Sequence, residues 1–92
     1  MNNLWIVWIL QTMAEGIWHN CKEKLKNTLG ETSFDTWIAP LNPKKSGNSL
    51  TLEAPDNFFK SWVETNYLPQ IKQALESLGQ KEIEISFAVN PN

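Results

Sequence analysis

Residues that commonly carry catalysis or bind metals are few in this chain, and they are not arranged for either task. The sequence has one histidine, His19, and one cysteine, Cys21. A catalytic nucleophile needs a base and a group that orients that base, and no spacing here predicts such a set. His19 has no second histidine at i+4, so we interpret it as an exposed or capping residue. Glu82 and Glu84 share one face of a predicted strand, which is more simply its solvated face. The sequence therefore predicts neither an enzyme nor a bound metal or cofactor.

The composition is that of an ordinary small globular domain. The 92 residues carry a formal net charge of −2, and 20% of them are charged. A chain of this length corresponds to one domain with one core. Its only cysteine excludes an intramolecular disulfide and is expected to pack as a small hydrophobic residue of the first helix. A dedicated nucleic-acid binder usually has a basic patch and a high isoelectric point, so the charge argues against specific nucleic-acid binding. We interpret Lys22, Lys24 and Lys26 as a solvated surface.

Aromatic residues are the unusual feature of the sequence. Five tryptophans and four phenylalanines occur in this short chain. Many of them lie in two stretches, SFDTWIAPL over 33–41 and LTLEAPDNFFKSWVETNY over 50–67. A single small core cannot hide all of them comfortably, and an exposed aromatic side chain beside a helix start is a common anchor for another protein. We therefore expect a small interaction module.

The first residues are expected to be separate from the domain. The apolar run LWIVWIL over 4–10 is far shorter than the ~20 residues that cross a bilayer. A secretory signal would require a basic residue before this run, and none is present. Met13 resembles a natural start. We predict an extension or leader over 1–13, an interaction domain over 14–89, and the start of a linker over 90–92. The extension is interpreted either as an arm that docks on the domain or a neighbouring copy, or as an aggregation-prone leader.

Hydrophobic periodicity and turn residues predict an α+β fold. We expect a three-stranded sheet with helices packed on one face, in the order α-α-β-β-α-α-β. Gly30 should end the first helix, and Asp56 should cap the third. In chain order the predicted elements are a helix over 17–29, a helix that begins at Thr32 or Ser33 with a capping hydroxyl and stops at Pro40, an edge strand over 41–45, a strand over 49–53, a helix after Asp56, a helix from Pro69 to Gly79, and a strand over 82–89.

Four groups of residues follow one another along the chain: Trp18 and Cys21; Phe34, Trp37, Ile38, Pro40 and Leu41; Leu50, Leu52, Ala54 and Pro55; and Phe58, Trp62, Val63, Tyr67 and Leu68. In this order they resemble a known family, the N-terminal domain (domain I) of the bacterial chromosomal replication initiator DnaA. The resemblance covers about residues 17–89, nearly the whole chain beyond the leader.

This resemblance implies a KH-like fold that acts as a docking platform in the bacterial cytoplasm, with no membrane contact. Its expected partners are other copies of the initiator, the replicative DNA helicase and proteins that regulate initiation. Origin DNA is expected to be contacted only through other domains, because this sequence has no GxxxxGK[ST] phosphate loop and no basic helix-turn-helix.

The resemblance also implies a set of protein-binding residues. Trp18 matches an exposed tryptophan implicated in self-association, although it fits equally well as a core residue of the first helix. Phe58 matches a surface phenylalanine implicated in helicase and regulator binding, and Asp56 should place it at the helix start. Phe59 and Trp62 are expected to be buried instead.

The second helix is expected to add a regulator-binding surface at Thr36 and Trp37, with Trp37 also contributing to the core. Ser33 departs from the family pattern, because some members carry an acidic residue there that contacts the helicase. A serine cannot supply a charged acceptor. The helicase contact at Ser33 is therefore in doubt, or moves to Glu31 or Asp35.

A second hypothesis is a weak single-stranded nucleic-acid-binding module, suggested by the KH-like topology. KH domains clamp the nucleic-acid backbone through a GxxG loop, and the sequence contains none. Stacking of bases on an exposed aromatic side chain remains as an alternative.

Overall fold

A computed structural model describes residues 4–90 and consists of four helices and a three-stranded sheet. The predicted α+β class and the order α-α-β-β-α-α-β are confirmed. The elements are α1 (Leu4–Leu29), α2 (Glu31–Ser33), which continues into a π-helical turn (Phe34–Ile38), β1 (Asn42–Ser46), β2 (Ser49–Ala54), α3 (Asn57–Asn66), α4 (Leu68–Ser77) and β3 (Glu84–Val89).

The central strand of the sheet is β2, which is antiparallel to β1 and parallel to β3. Its Leu52 lies opposite Pro43 of β1 and Phe87 of β3. The edge position predicted for the first strand is confirmed, in agreement with the confinement of proline to sheet edges. Gly47, with φ 58°, provides the positive backbone angle at the first position of the hairpin turn.

The core lies between β2 and the helices. Alternate residues of β2 are buried, as period-two alternation predicts. Trp18, Cys21 and Leu25 of α1 belong to the same buried cluster, so the predicted packing of Cys21 as a small hydrophobic residue of the first helix is confirmed. The Cys21 side chain is fully buried, and its Sγ lies 3.9 Å from the Ile71 carbonyl oxygen. Burial raises the pKa of the Cys21 thiol to about 12, which keeps it protonated and unreactive at neutral pH.

The predicted start of the first helix at residue 17 is wrong, because α1 begins at Leu4. No proline interrupts this stretch, and most of its residues tolerate or favour a helix, so one glycine, Gly16, does not end it. The predicted end is confirmed at Gly30, where φ is 85°. The division between an extension over 1–13 and a domain over 14–89 stays a prediction. Within the described residues, no helix is long and apolar enough to span a membrane.

The predicted hydroxyl cap of the second helix is also wrong. The N-cap of α2 is Gly30, and no side chain caps the helix. Because Gly30 both ends α1 and starts α2, the second helix begins before either Thr32 or Ser33 can occupy the capping position. The Phe34 N–H donates to the Gly30 carbonyl oxygen at 3.1 Å, which joins α2 to the π-helical turn.

The boundaries of the last three elements lie close to the predicted positions. A break at Tyr67 separates α3 from α4, and Pro69 lies in the first turn of α4. Gly79 follows α4 with φ 77°. The strand β3 begins at Glu84, two residues later than predicted. The Asn90 N–H donates to the Ala54 carbonyl oxygen at 2.8 Å, so the first residue of the predicted linker still belongs to the ladder, and 91–92 lie outside the described residues.

Candidate protein-binding surface

The start of α3 is fixed by a side-chain cap. The Asp56 Oδ1 atom accepts a hydrogen bond from the Phe59 N–H at 2.7 Å, which satisfies one of the free donors of the first turn. The predicted capping role of Asp56 is therefore confirmed. Phe58 lies in that first turn with 72% of its surface exposed. The cap holds the backbone that carries this ring in one conformation.

Phe58 adjoins a cluster of three aromatic side chains. The Trp37 ring, carried by the π-helical turn, stacks on Trp62 with a centroid distance of 5.2 Å and an interplanar angle of 26°. It also contacts Phe59, with centroids 5.0 Å apart and planes tilted by 51°. Offset stacked and tilted geometries at these distances are favourable for aromatic pairs. We call Trp37, Phe58, Phe59 and Trp62 together the aromatic surface.

The predicted burial of Trp62 is wrong, since 42% of its surface is exposed. Val63, the next residue along α3, is fully buried. Phe59 and Val63 are separated by one helical turn and face the sheet, so Trp62 is turned toward Trp37 and solvent. Phe59 is half-buried rather than buried.

A shallow groove of about 340 Å³ runs along the exposed side of α3. Five residues line it: Phe58, Ser61, Trp62, Thr65 and Asn66. The Asn66 Nδ2 atom donates to the Trp62 carbonyl oxygen at 2.9 Å. The polar lining residues were not identified from the sequence. Their i+3 and i+4 spacing from Phe58 and Trp62 was the available signal.

The structure brings only part of the predicted site together. Asp56 and Phe58 are adjacent at the start of α3, and Trp37 reaches the same surface through Trp62. Thr36 is exposed immediately before Trp37, whereas Ser33 is half-buried in α2. Contacts of Ser33 and Thr36 with a partner stay predictions.

Trp18 does not lie on this surface. It is 1% exposed and belongs to the core cluster, so of the two interpretations left open by the sequence the structure shows the core position. Its Nε1 atom is buried and has no hydrogen-bond partner among the described residues. A direct contact between Trp18 and a second copy stays a prediction that requires this side chain to leave the core.

The polar side chains of the described residues do not form a metal centre. No group of three or more histidine, cysteine or acidic side chains in this part of the chain is arranged to hold an ion. The exposed His19 Nε2 atom lies 3.9 Å from the Glu23 carboxylate, one helical turn away. The aromatic surface, with Phe58 72% exposed, presents apolar side chains to solvent.

Sequence comparison assigns the chain to a known family. The family described as the DnaA N-terminal domain matches residues 15–77. The chain belongs to that family. The match contains α2, the π-helical turn, α3 and α4, and therefore every residue of the aromatic surface. A DnaA N-terminal domain is part of a bacterial replication initiator.

Curated relatives of this DnaA N-terminal domain carry the name chromosomal replication initiator protein DnaA. The protein of Chlorobaculum tepidum is 32% identical over 80 residues, which cover 86% of this chain and 16% of the relative. That of Citrifermentans bemidjiense is 37% identical over 76 residues, covering 82% and 17%. That of Geotalea uraniireducens is 34% identical over 76 residues, with the same shares covered. The chain thus spans about a sixth of the length of these relatives.

Proposed function

We propose that this DnaA N-terminal domain is a protein-interaction module of a replication initiator, which associates with other copies and uses its aromatic surface to dock the replicative helicase or an initiation regulator. The observation that supports docking is the 72% exposure of Phe58. A phenylalanine side chain gains about 1.5–3 kcal/mol when it is fully removed from water. An occupant that covers Phe58 gains most of that energy.

The aromatic surface is also held in place before a partner arrives. Asp56 fixes the first turn of α3, and stacking on Trp37 fixes Trp62. Binding loses affinity when flexible side chains must be ordered, so rings already held in one arrangement favour tight contact. Aromatic residues in such positions frequently dominate the energy of protein interfaces.

The charges near this surface favour a protein partner over a nucleic acid. Lys60 of α3 lies 3.8 Å from Glu64, so its charge is paired within the helix. Single-stranded nucleic-acid binders combine stacking rings with a positively charged groove, and the groove beside Phe58 is lined by no lysine or arginine. Base stacking alone is therefore the weaker alternative.

The direct test is a titration of the isotope-labelled chain with its cognate replicative helicase, and separately with a single-stranded oligonucleotide. Backbone amide signals and the indole signals of Trp37 and Trp62 report the contact. We expect helicase-induced changes over 56–66 and at Trp37. Changes produced only by the oligonucleotide would contradict docking and favour a nucleic-acid module.

A matched pair of variants then tests the anchor. Phe58→Ala should weaken helicase binding by about thirty-fold, the equivalent of a ~2 kcal/mol interface anchor. Met13→Ala removes an apolar side chain that is 47% exposed on α1, and should leave binding unchanged. Equal effects of the two substitutions would show that general surface hydrophobicity, and not this site, produces the binding.

A further inference from the structure

The two edges of the sheet differ in how they are protected. An edge strand presents free backbone donors and acceptors, and proteins commonly block such edges with proline, lysine or a bulge. The β1 edge carries Pro43, Lys44 and Lys45. The β3 edge, EISFAV, has neither proline nor lysine, and its register with β2 is unbroken over six residues.

Hydrogen bonding shows which backbone groups of β3 point outward. The Glu84 N–H donates to the Asn48 carbonyl oxygen and the Asn90 N–H to that of Ala54, both at 2.8 Å. Since successive residues of a strand alternate in direction, the even-numbered residues pair with β2. The N–H and C=O groups of Ile85, Phe87 and Val89 therefore point away from the sheet, and no strand pairs with them within the described residues.

The side chains of the same residues leave apolar surface beside this edge. Ile85 and Phe87 are half-buried and pack against the core from the helix-covered face. A groove of about 390 Å³ lies next to the start of β3, with Leu75, Ile83 and Ile85 among its lining. An added strand would thus find both hydrogen-bonding groups and apolar contact.

We propose that β3 pairs antiparallel with β3 of a second copy around a twofold axis at Phe87, which joins the two sheets into one of six strands. This inference rests on the self-association part of the proposed function and gives it a surface. It leaves the aromatic surface free for a different partner.

The strand is complementary to itself in this register. Phe87 lies opposite its own copy, Ile85 opposite Val89, and Ser86 opposite Ala88. Three outward-facing pairs exchanging two bonds each give about six backbone hydrogen bonds. No like charges meet, because Glu84 lies opposite Asn90.

The neighbouring charges also favour a second copy over a charged peptide. The groove beside β3 is lined by two lysines and two glutamates, Lys72, Lys81, Glu76 and Glu84. This balance attracts neither an acidic nor a basic segment strongly.

The expected dimer is weak. Pairing along a six-residue edge buries less surface than the roughly 800 Å² per partner of a stable interface, so we expect a dissociation constant on the order of 0.1 mM.

Sedimentation equilibrium from micromolar to millimolar concentration tests the assignment, with thermal unfolding as a check of the fold. Val89→Pro removes one outward N–H without touching the ladder to β2, and should leave the chain monomeric at 1 mM. Lys45→Pro is the matched control, since alternation from the Ser46–Ser49 pair points the Lys45 N–H outward at the opposite edge. It should leave association unchanged. A wild-type chain that is monomeric at 1 mM, or equal effects of both prolines, would overturn the proposal.

Charge complementation tests the register itself. The pair Ser86→Lys/Ala88→Lys places lysines opposite each other in the dimer, and Ser86→Glu/Ala88→Glu does the same with glutamates. Each double variant alone should associate at least five-fold more weakly than wild type, and an equimolar mixture should recover association. No recovery would reject this register. Helicase titration of Val89→Pro separates the two proposals, because unchanged binding there leaves the docking function standing whatever happens to the dimer.

Discussion

Aromatic residues in α1 and in α3 occupy opposite environments. Trp18 of α1 lies in the core, whereas Phe58 at the start of α3 lies at the surface. Trp18 is 1% exposed and Phe58 is 72% exposed, although the sequence resemblance led us to expect both in protein contacts. Trp18 is followed by Cys21 and Leu25 at helical spacing, and all three belong to the core. Phe58 precedes Phe59, which takes the inward position. The neighbours on the helix, rather than the residue type, decide whether an aromatic ring supports the fold or faces a partner.

The largest loss of stability is expected at Trp18, and measuring it tests this comparison directly. Trp18→Ala should destabilise the domain by about 3–5 kcal/mol, because it removes a fully buried indole and leaves a cavity. Urea denaturation followed by circular dichroism measures the loss. A change below about 1 kcal/mol would show that Trp18 is not a core residue in solution, and would restore the exposed position implied by the family.

Trp62→Ala should have an intermediate effect of about 1–2 kcal/mol, because the ring is partly exposed but stacks on Trp37. Equilibrium unfolding measures it, with Trp62→Phe as a control that keeps an aromatic ring. A loss as large as that of Trp18→Ala would place Trp62 in the core after all. Trp62→Ala should also weaken helicase docking, because it removes one ring of the aromatic surface, whereas Trp62→Phe should weaken it less.

The difference between Trp62 and Val63 shows where sequence reasoning reaches its limit. Phe58 and Trp62 are separated by one helical turn, as are Phe59 and Val63, so α3 has two adjacent apolar rows. Periodicity identifies both rows but cannot say which one faces the sheet. In β2 the choice is unambiguous, because Leu50 and Leu52 alternate with polar residues, and both are buried.

Two helix boundaries were also predictable, because each is marked by a residue type with a strong positional preference. Asp56 caps the start of α3, and Gly30 supplies the positive φ angle directly after α1, which are the positions that these residue types favour at helix ends. The start of α1 at Leu4 carries no comparable signal. The exposed backbone edge of β3 follows from strand order, which the predicted elements did not specify.

Asp56→Ala should cost about 1 kcal/mol, the usual effect of losing a side-chain N-cap. Asp56→Ser keeps a capping oxygen and should retain most of the stability in the same unfolding assay. Because the cap orders the turn that carries Phe58, Asp56→Ala should also weaken helicase binding, whereas Asp56→Ser should not. Loss of binding in both variants, with stability retained in the serine variant, would instead indicate that the carboxylate contacts the partner directly.

The smallest effect on stability is expected at Phe58, and it is the one that completes the comparison with Trp18. Phe58→Ala removes a ring that is mostly in solvent, so the free energy of unfolding should change by no more than about 0.5 kcal/mol. Urea denaturation in parallel with Trp18→Ala makes the contrast direct. If Phe58→Ala costs about 3 kcal/mol or more, the ring contributes to the core and its loss of binding cannot be assigned to an interface. A nearly unchanged stability together with lost docking would mean that the exposed ring is retained for a partner, since the fold gains little from it.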